Sequence, residues 1–246
     1  MDTEEMRNAL HRAAVLTVSE IFGPTLQGEG RSQGMHTMFV RLGLCNLDCK
    51  WCDTPYTWDW QGKNGTAYSK DEQLKRISVA DILDALDGNS PRVVITGGEP
   101  MVQQASLVPL INELHRQDRY VEIETNGTLM PSGEYADLGV LFNVSPKLSN
   151  SGVPRNKAIN LPALAEYYFL GASFKFVVES DDCIREVMNI ARDANIPHKR
   201  IWLMPQGTTS TAMLKQLPWL FDRCAELGFN LSARLHVLAH NDKRGI

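Results

Sequence analysis

The chain has 246 residues, with 25 basic against 29 acidic side chains for a formal charge of −4, and 43% of it is hydrophobic. That length can bury a full core and matches one α/β barrel or one large open-sheet domain, so a single domain over 1–246 is expected. Charges of both signs are interspersed, with no run of five alike, which excludes an advertised nucleic-acid groove or membrane surface and points to a small-molecule partner.

The N-terminal Met1-Asp-Thr-Glu-Glu is acidic rather than a charged-then-apolar leader, and no apolar run reaches about 18 residues. The expected setting is therefore the cytoplasm, where the five cysteines stay reduced. Residues 1–22 read as an extension ending in an early ribbon, Val15 to Phe22, that pairs at a sheet edge. A strand follows at His36 to Leu42, then a polar surface excursion from Gly62 to Glu72. Ser78, with Asp81 three residues on, resembles a capping box for a helix Val79 to Leu86. From there strands and helices alternate: strand Arg92 to Thr96, helix Gln104 to Arg116, strands Tyr120 to Thr125 and Val140 to Val144, then helix Leu161 to Leu170 capped by Asn160. Strand Ser173 to Val178, helix Asp181 to Ala194, strand Ile201 to Met204, helix Ala212 to Leu227 stopped by Gly228, and strand Leu231 to Val237 complete the pattern of βα units and a mainly parallel sheet.

Polar clusters follow the strands. Cys45-Asn-Leu-Asp-Cys49-Lys-Trp-Cys52 follows the first, Thr96-Gly97-Gly98-Glu99-Pro100 the second, Glu124-Thr-Asn-Gly127 the third and Ser145-Pro146-Lys147 the fourth. Met204-Pro205-Gln206-Gly207 follows the sixth, and His236 lies at the end of the last. In parallel α/β architectures all strand C-termini open on one mouth, so this distribution predicts one active-site face built around the cysteine loop.

The spacing C-x3-C-x2-C places three soft thiolates within eight residues. A 4Fe–4S cube held by three cysteines keeps one iron open to a non-protein ligand, whereas an electron-carrier cluster has four. The alternative is a structural zinc loop, which needs a fourth ligand: His36, Asp48 and Asp53 are the nearby candidates. Cys183 and Cys224 fall on helices far along the chain and read as small buried hydrophobes, too separated to hold a second cluster. His11, His115, His198 and His240 read as surface or cap residues, and Trp58 and Trp60 as packing or as cover for the cysteine loop.

The cysteine run resembles the signature of the radical S-adenosylmethionine (SAM) superfamily, with Trp51 in the aromatic position near the adenine of SAM. That resemblance implies a shortened, partial (β/α) radical SAM barrel of about six mainly parallel strands. It also implies SAM contacts at Gly98 and Glu99 of the Gly-Gly-Glu turn, at Ser145, Pro146 and Lys147, and at Met204, Pro205, Gln206 and Gly207. Gly43 falls one residue before the place where many relatives have glycine, with Leu44 beside Cys45 instead, which predicts a local shift of the loop.

Four further motifs, Thr25-Leu-Gln-Gly-Glu-Gly30, Phe39-Val-Arg41-Leu, Cys52-Asp-Thr54-Pro and Arg234-Leu-His236, together resemble the 7-carboxy-7-deazaguanine synthases from about Val18 to the C-terminus. In that family the substrate is 6-carboxy-5,6,7,8-tetrahydropterin, which rearranges with loss of ammonia. The resemblance implies substrate contacts at Leu26, Gln27, Gly28, Glu29, Arg41, Thr96, His236 and the terminal Ile246, Mg²⁺ at Thr54, and no residue acting as a strong acid or base. A bidentate guanidinium at Arg41 suits a carboxylate, and a lone hydroxyl at Thr54 suits an ion that keeps waters. Further implications are an external one-electron reductant of flavodoxin or ferredoxin type, a homodimer, and a product that feeds queuosine or another 7-deazapurine. A glycyl-radical activating enzyme shares the cluster and the Gly-Gly-Glu turn but does not predict Gln27-Gly-Glu-Gly30 or Cys52-Asp-Thr54.

Overall fold

Alternation of side chains across a strand gives each strand two faces, and in this chain the two faces differ in kind. The structure, a computed structural model, describes residues 4–5, 11–86 and 89–246. Most of the N-terminal extension before residue 11 lies outside the described residues. Among the described residues nine strands form one sheet: β1 (Val15–Leu26), β2 (His36–Leu42), β3 (Lys75–Ser78), β4 (Arg92–Gly97), β5 (Tyr120–Thr125), β6 (Leu141–Val144), β7 (Ser173–Val178), β8 (Ile201–Pro205) and β9 (Asn230–Leu231). Their order is β3-β1-β2-β4-β5-β6-β7-β8-β9. All pairs from β2 to β9 are parallel, and β1 is antiparallel to both β2 and β3. With β3 and β9 at opposite edges the sheet does not close, so the architecture is a partial barrel with six full parallel strands, β2 and β4 to β8.

Registers align one set of alternate positions into an apolar face: Val40 pairs with Ile95, Ile95 with Ile123, Ile123 with Phe142, Val144 with Phe174 and Phe176 with Leu203. All are buried in one core. Helices cover that face with stripes at i, i+3, i+4 and i+7, as in Leu107, Leu110, Ile111 and Leu114 of Gln104–Arg116, and Ile184, Val187 and Ala191 of Asp181–Asp193. Cys183 and Cys224 are buried on such helices. The caps hold locally: Ser78 Oγ accepts from the Asp81 amide while its hydroxyl donates to the Asp81 carboxylate, Asn160 accepts from the Ala163 amide, and Gly228 ends its helix at φ +71°.

Four expectations are corrected. The early ribbon runs on to Leu26 and lies one strand in from the edge, because the four-residue β3 pairs along its outer side from Val15 to Val18. The last strand is two residues long. After Leu231, the Ser232 amide still reaches Leu203, but the Leu235 amide bonds Gly28, which lifts the chain off the sheet. Residues Leu235–His240 are then helical, so His236 sits on a short helix rather than at a strand end. His11 is buried, 3.9 Å from the Glu113 carboxylate, rather than at the surface.

Candidate active site

The loop after β2 is held by its neighbours rather than by its own turn chemistry. The Leu44 amide donates to Thr57, and Leu44 itself adopts φ +72°, the left-handed region a side chain disfavours. The Gly98 and Glu99 amides donate to the carbonyls of Leu42 and Leu44, at 3.0 and 2.8 Å. A Cβ on Gly98 would stand 2.0 Å from the Leu44 carbonyl oxygen, so the glycine is required by the approach of the cysteine loop to the end of β4. Glu99 is fully buried. Its carboxylate accepts from the Met101 and Asn126 amides and the Thr125 hydroxyl, which binds the turn after β4 to the turn after β5. Burial pushes its carboxyl up despite those donors.

Cys45, Cys49 and Cys52 line one cavity of about 270 Å³ at the C-terminal end of the parallel strands. Leu47, Cys49, Val153 and Ala158 form a small apolar cluster of their own behind the loop, with Cys45, Cys52 and Ile159 packed on it. Burial pushes the Cys45 thiol up to about 12 and raises Cys49 and Cys52 as well, so bound metal is what would hold these groups as thiolates at neutral pH. Among the described residues no three His, Cys, Asp or Glu side chains gather as the ligands of a single ion would. Three sulfurs facing a shared cavity fit a cube instead, because each binds a different iron. Two donors already point at sulfur, the Trp58 indole to Cys52 at 3.3 Å and the Leu47 amide to Cys45 at 3.5 Å, as hydrogen bonds that tune a cluster do.

Above the loop the Trp51 indole donates to the Asn150 carbonyl, and the Lys147 ammonium stands 5.8 Å from its ring centre and bonds Ser145 Oγ at 2.9 Å. Ser145, Lys147, Gly98 and Met204 to Gly207 line the cavity; Pro146 does not, and Glu99 is beneath it.

The second face of the sheet forms the floor, and it is polar. Arg41 pairs in register with Thr96, and Glu124 with Asn143. Thr96 Oγ1 donates to Glu124 at 2.8 Å, Gln27 donates to Glu122 at 3.0 Å, and Lys175 donates to Glu29 and stands 3.4 Å from Glu124. Arg234 bonds Glu29 at 2.7 Å and also the Asp53 carboxylate. Burial alone would raise the Glu29 carboxyl, but the Lys175 and Arg234 cations outweigh it and hold the group well below the usual range. Burial lowers His236, which favours the neutral ring. Its side chain packs so closely on Gly28 that a Cβ there would meet Nδ1 at 2.0 Å. Arg41 Nε donates to Glu20 at 2.6 Å and its guanidinium lies 5.3 Å from the Phe22 ring, itself stacked on Phe39 at 4.8 Å.

Leu26, Gln27, Gly28, Glu29, Arg41, Thr54, Thr96, His236 and Ile246 all face this same cavity. Thr54 Oγ1 is 3.7 Å from Cys52 Sγ. The last residues reach the mouth because Arg244 bonds Glu20 at 2.9 Å and lies 3.8 Å from the Tyr56 ring centre. Sequence reasoning missed Lys175 and Phe22 as cavity residues, and quoted Glu124, Arg234, Asp53 and Phe39 within motifs without assigning them a role there. The signal was present in the strands: Glu122 and Glu124 two apart in β5, and one lysine between two phenylalanines in β7, put charge at one parity of otherwise apolar runs.

The profile of the Radical SAM superfamily matches residues 40–212. A curated protein of Pyrobaculum aerophilum named 7-carboxy-7-deazaguanine synthase is 34% identical over 93% of this chain and 96% of its own length. One of the same name from Hyperthermus butylicus is 35% identical over 91% of this chain and 92% of its own. The crystal structure of QueE from Escherichia coli superposes with a TM-score of 0.70 at 25% identity, covering 94% of this chain and 98% of that one.

Proposed function

This chain belongs to the Radical SAM superfamily and, within it, to the 7-carboxy-7-deazaguanine synthases, and from that membership we propose that it converts 6-carboxy-5,6,7,8-tetrahydropterin to 7-carboxy-7-deazaguanine with loss of ammonia. The observation that carries this reading is convergence: the three cysteines and the residues suited to a carboxylated pterin line one cavity, although they come from both ends of the chain. A glycyl-radical activating role is not favoured, since nothing in the relatives' names points to it.

Cys45, Cys49 and Cys52 would hold a 4Fe–4S cluster, with SAM alongside it at Trp51, Gly98, Ser145, Lys147 and the turn Met204 to Gly207. When bound, that pair supplies a 5′-deoxyadenosyl radical able to take a hydrogen atom from C6 of the pterin. Glu99 and Pro146 serve by fixing the turns that carry Gly98, Ser145 and Lys147. Arg41 offers its guanidinium to the substrate carboxylate, with neutral His236 nearby as a hydrogen-bonding partner. Gln27, Glu29 and Thr96 meet the donor and acceptor edge of the ring, and Leu26 and Gly28 shape its border. Mg²⁺ at Thr54 would neutralise substrate oxygens while keeping most of its waters, and the tail at Ile246 closes the mouth. The conversion loses ammonia and nothing else, so it is redox-neutral and SAM can be returned each cycle. The protein's share is therefore orientation, charge neutralisation and exclusion of water. The enzyme is in this reading a Mg²⁺-dependent carbon–nitrogen lyase and homodimer that takes one electron from a flavodoxin or ferredoxin.

Anaerobic turnover of reconstituted protein with SAM, dithionite, Mg²⁺ and carboxytetrahydropterin tests it. Mass spectrometry should show a product lighter by one ammonia, absent with Cys49→Ala and diminished when Mg²⁺ is chelated while SAM cleavage persists. Cleavage of SAM with the pterin untouched, in the wild-type protein with Mg²⁺ present, would refute the substrate assignment.

A further inference from the structure

Lys175 is 5% exposed in the middle of β7, between Phe174 and Phe176, which bury into the apolar core on the opposite face. An ammonium at such a depth carries a large desolvation cost, and an apolar side chain of similar volume would often serve stability as well or better. Its Nζ donates to Glu29 and lies 3.4 Å from Glu124 Oε1. The other Glu124 oxygen accepts from the Thr96 hydroxyl at 2.8 Å, the other Glu29 oxygen accepts from Arg234 Nε at 2.7 Å, and the Glu29 amide donates to Gln27 Oε1 at 3.2 Å. Gln27, Glu29 and Thr96, the residues placed against the pterin ring, thus belong to one network, and Lys175 joins its Glu29 and Glu124 carboxylates directly, beside a longer link from Gln27 Nε2 to Glu124 Oε1 at 3.5 Å.

We propose that Lys175 is a positioning residue for substrate recognition: its ammonium bridges Glu29 and Glu124 so that both carboxylates stand fixed at the cavity as acceptors for the ring N–H donors, and it takes no part in SAM cleavage. This rests on the pterin reading above. The geometry divides the labour along the site. Lys175 sits on the floor formed by β4 to β7, whereas the cysteines and Trp51 come from the loop after β2, and among the described residues the hydrogen bonds of the Lys175 ammonium go to Glu29 and Glu124. The groups that face Glu29 are Lys175 from β7, Arg234 from the turn after β9, His236 from the last helix and Asp53 from beyond the cysteine loop. Lys175, which both faces and hydrogen-bonds Glu29, is the strongest of the charges that depress its carboxyl, so removing it should raise that carboxyl and move the acid limb of activity to higher pH.

The test compares Lys175→Gln and Lys175→Arg with the wild type, each loaded with its cluster, in three readouts: KM for carboxytetrahydropterin, product formed per SAM cleaved, and the acid limb of kcat/KM. Lys175→Gln should keep its iron content and its SAM cleavage, raise KM about tenfold or more, lower the product-to-cleavage ratio, and shift the acid limb upward. Lys175→Arg, which keeps the charge, should hold the limb in its wild-type place with KM within about threefold. An unchanged KM and limb in Lys175→Gln overturns the proposal, as does a proportional loss of SAM cleavage and pterin turnover, which is the mark of a purely structural lysine. If Lys175→Gln does not fold, a displaced limb in Lys175→Arg with SAM cleavage intact overturns it alone. Failure of the wild type to convert the pterin would strike the functional reading instead.

Discussion

Phe174 and Lys175 are consecutive residues of the same buried strand, yet one belongs to a face where every neighbour is apolar and the other to a face where every neighbour is chosen. On the apolar face Val40, Ile95, Ile123, Phe142 and Phe176 contribute roughly by the area they remove from water, about 25 cal/mol per Å², and partners are interchangeable if volume is kept. On the polar face Arg92 meets Glu122 at 3.3 Å, Thr96 meets Glu124 and Arg41 meets Glu20. Such pairs gain little net stability once desolvation is counted. The same nine strands therefore divide stability and chemistry between their two sides, and residues on the second side are expected to report on turnover more than on folding.

The comparison is sharpest at its apolar extreme. Phe176→Ala should cost about 3–5 kcal/mol through lost burial and the cavity left behind, much of the roughly 5–15 kcal/mol margin typical of a domain. Urea unfolding checks it, and iron bound per folded molecule should not change. Loss of cluster in proportion to the lost stability would show that the two faces are coupled through the strand. On the polar face Arg41→Lys keeps the charge that answers Glu20 but loses the planar fork. We expect kcat/KM for the pterin to fall about a hundredfold, equivalent to about 2.7 kcal/mol of transition-state stabilisation, with the unfolding midpoint nearly unmoved. A midpoint that falls as far as the activity would break the division.

The division also sets what could be read from sequence. Strands β2, β5 and β7 and the helix Gln104–Arg116 have the bounds that periodicity gives, because the apolar face writes a regular signal. β3 was missed because Lys75-Arg-Ile-Ser78 has almost no apolar side chain to reveal it: its place at the edge comes from backbone pairing to β1. Leu231 to Val237 alternates as a strand does, and tertiary bonds from Ser232 and Leu235 override that pattern after Leu231. The cavity residues were legible where a motif announced them, in Cys45 to Cys52, Gln27 to Glu29 and Arg41. Lys175 was hidden because a single charge in an apolar run is meaningful only once the neighbouring strands, far apart in sequence, are set beside it.

Leu44 stands where the chain leaves the regular alternation of β2 and enters the cysteine loop, so it tests which logic governs the junction. Its carbonyl accepts from Glu99 and its amide donates to Thr57, and these two bonds fix φ at +72°. For an L-residue that region costs about 1–2 kcal/mol. Leu44→Gly would remove the cost but adds about 0.5–1 kcal/mol of unfolded-state entropy, so a net gain of about 0.5 kcal/mol is expected, read as a small rise in the urea midpoint with turnover unchanged. A fall in the midpoint would mean that the half-buried leucine side chain contributes more by packing than its backbone loses by strain, and that the area rule of the apolar face reaches into the loop that carries the cysteines.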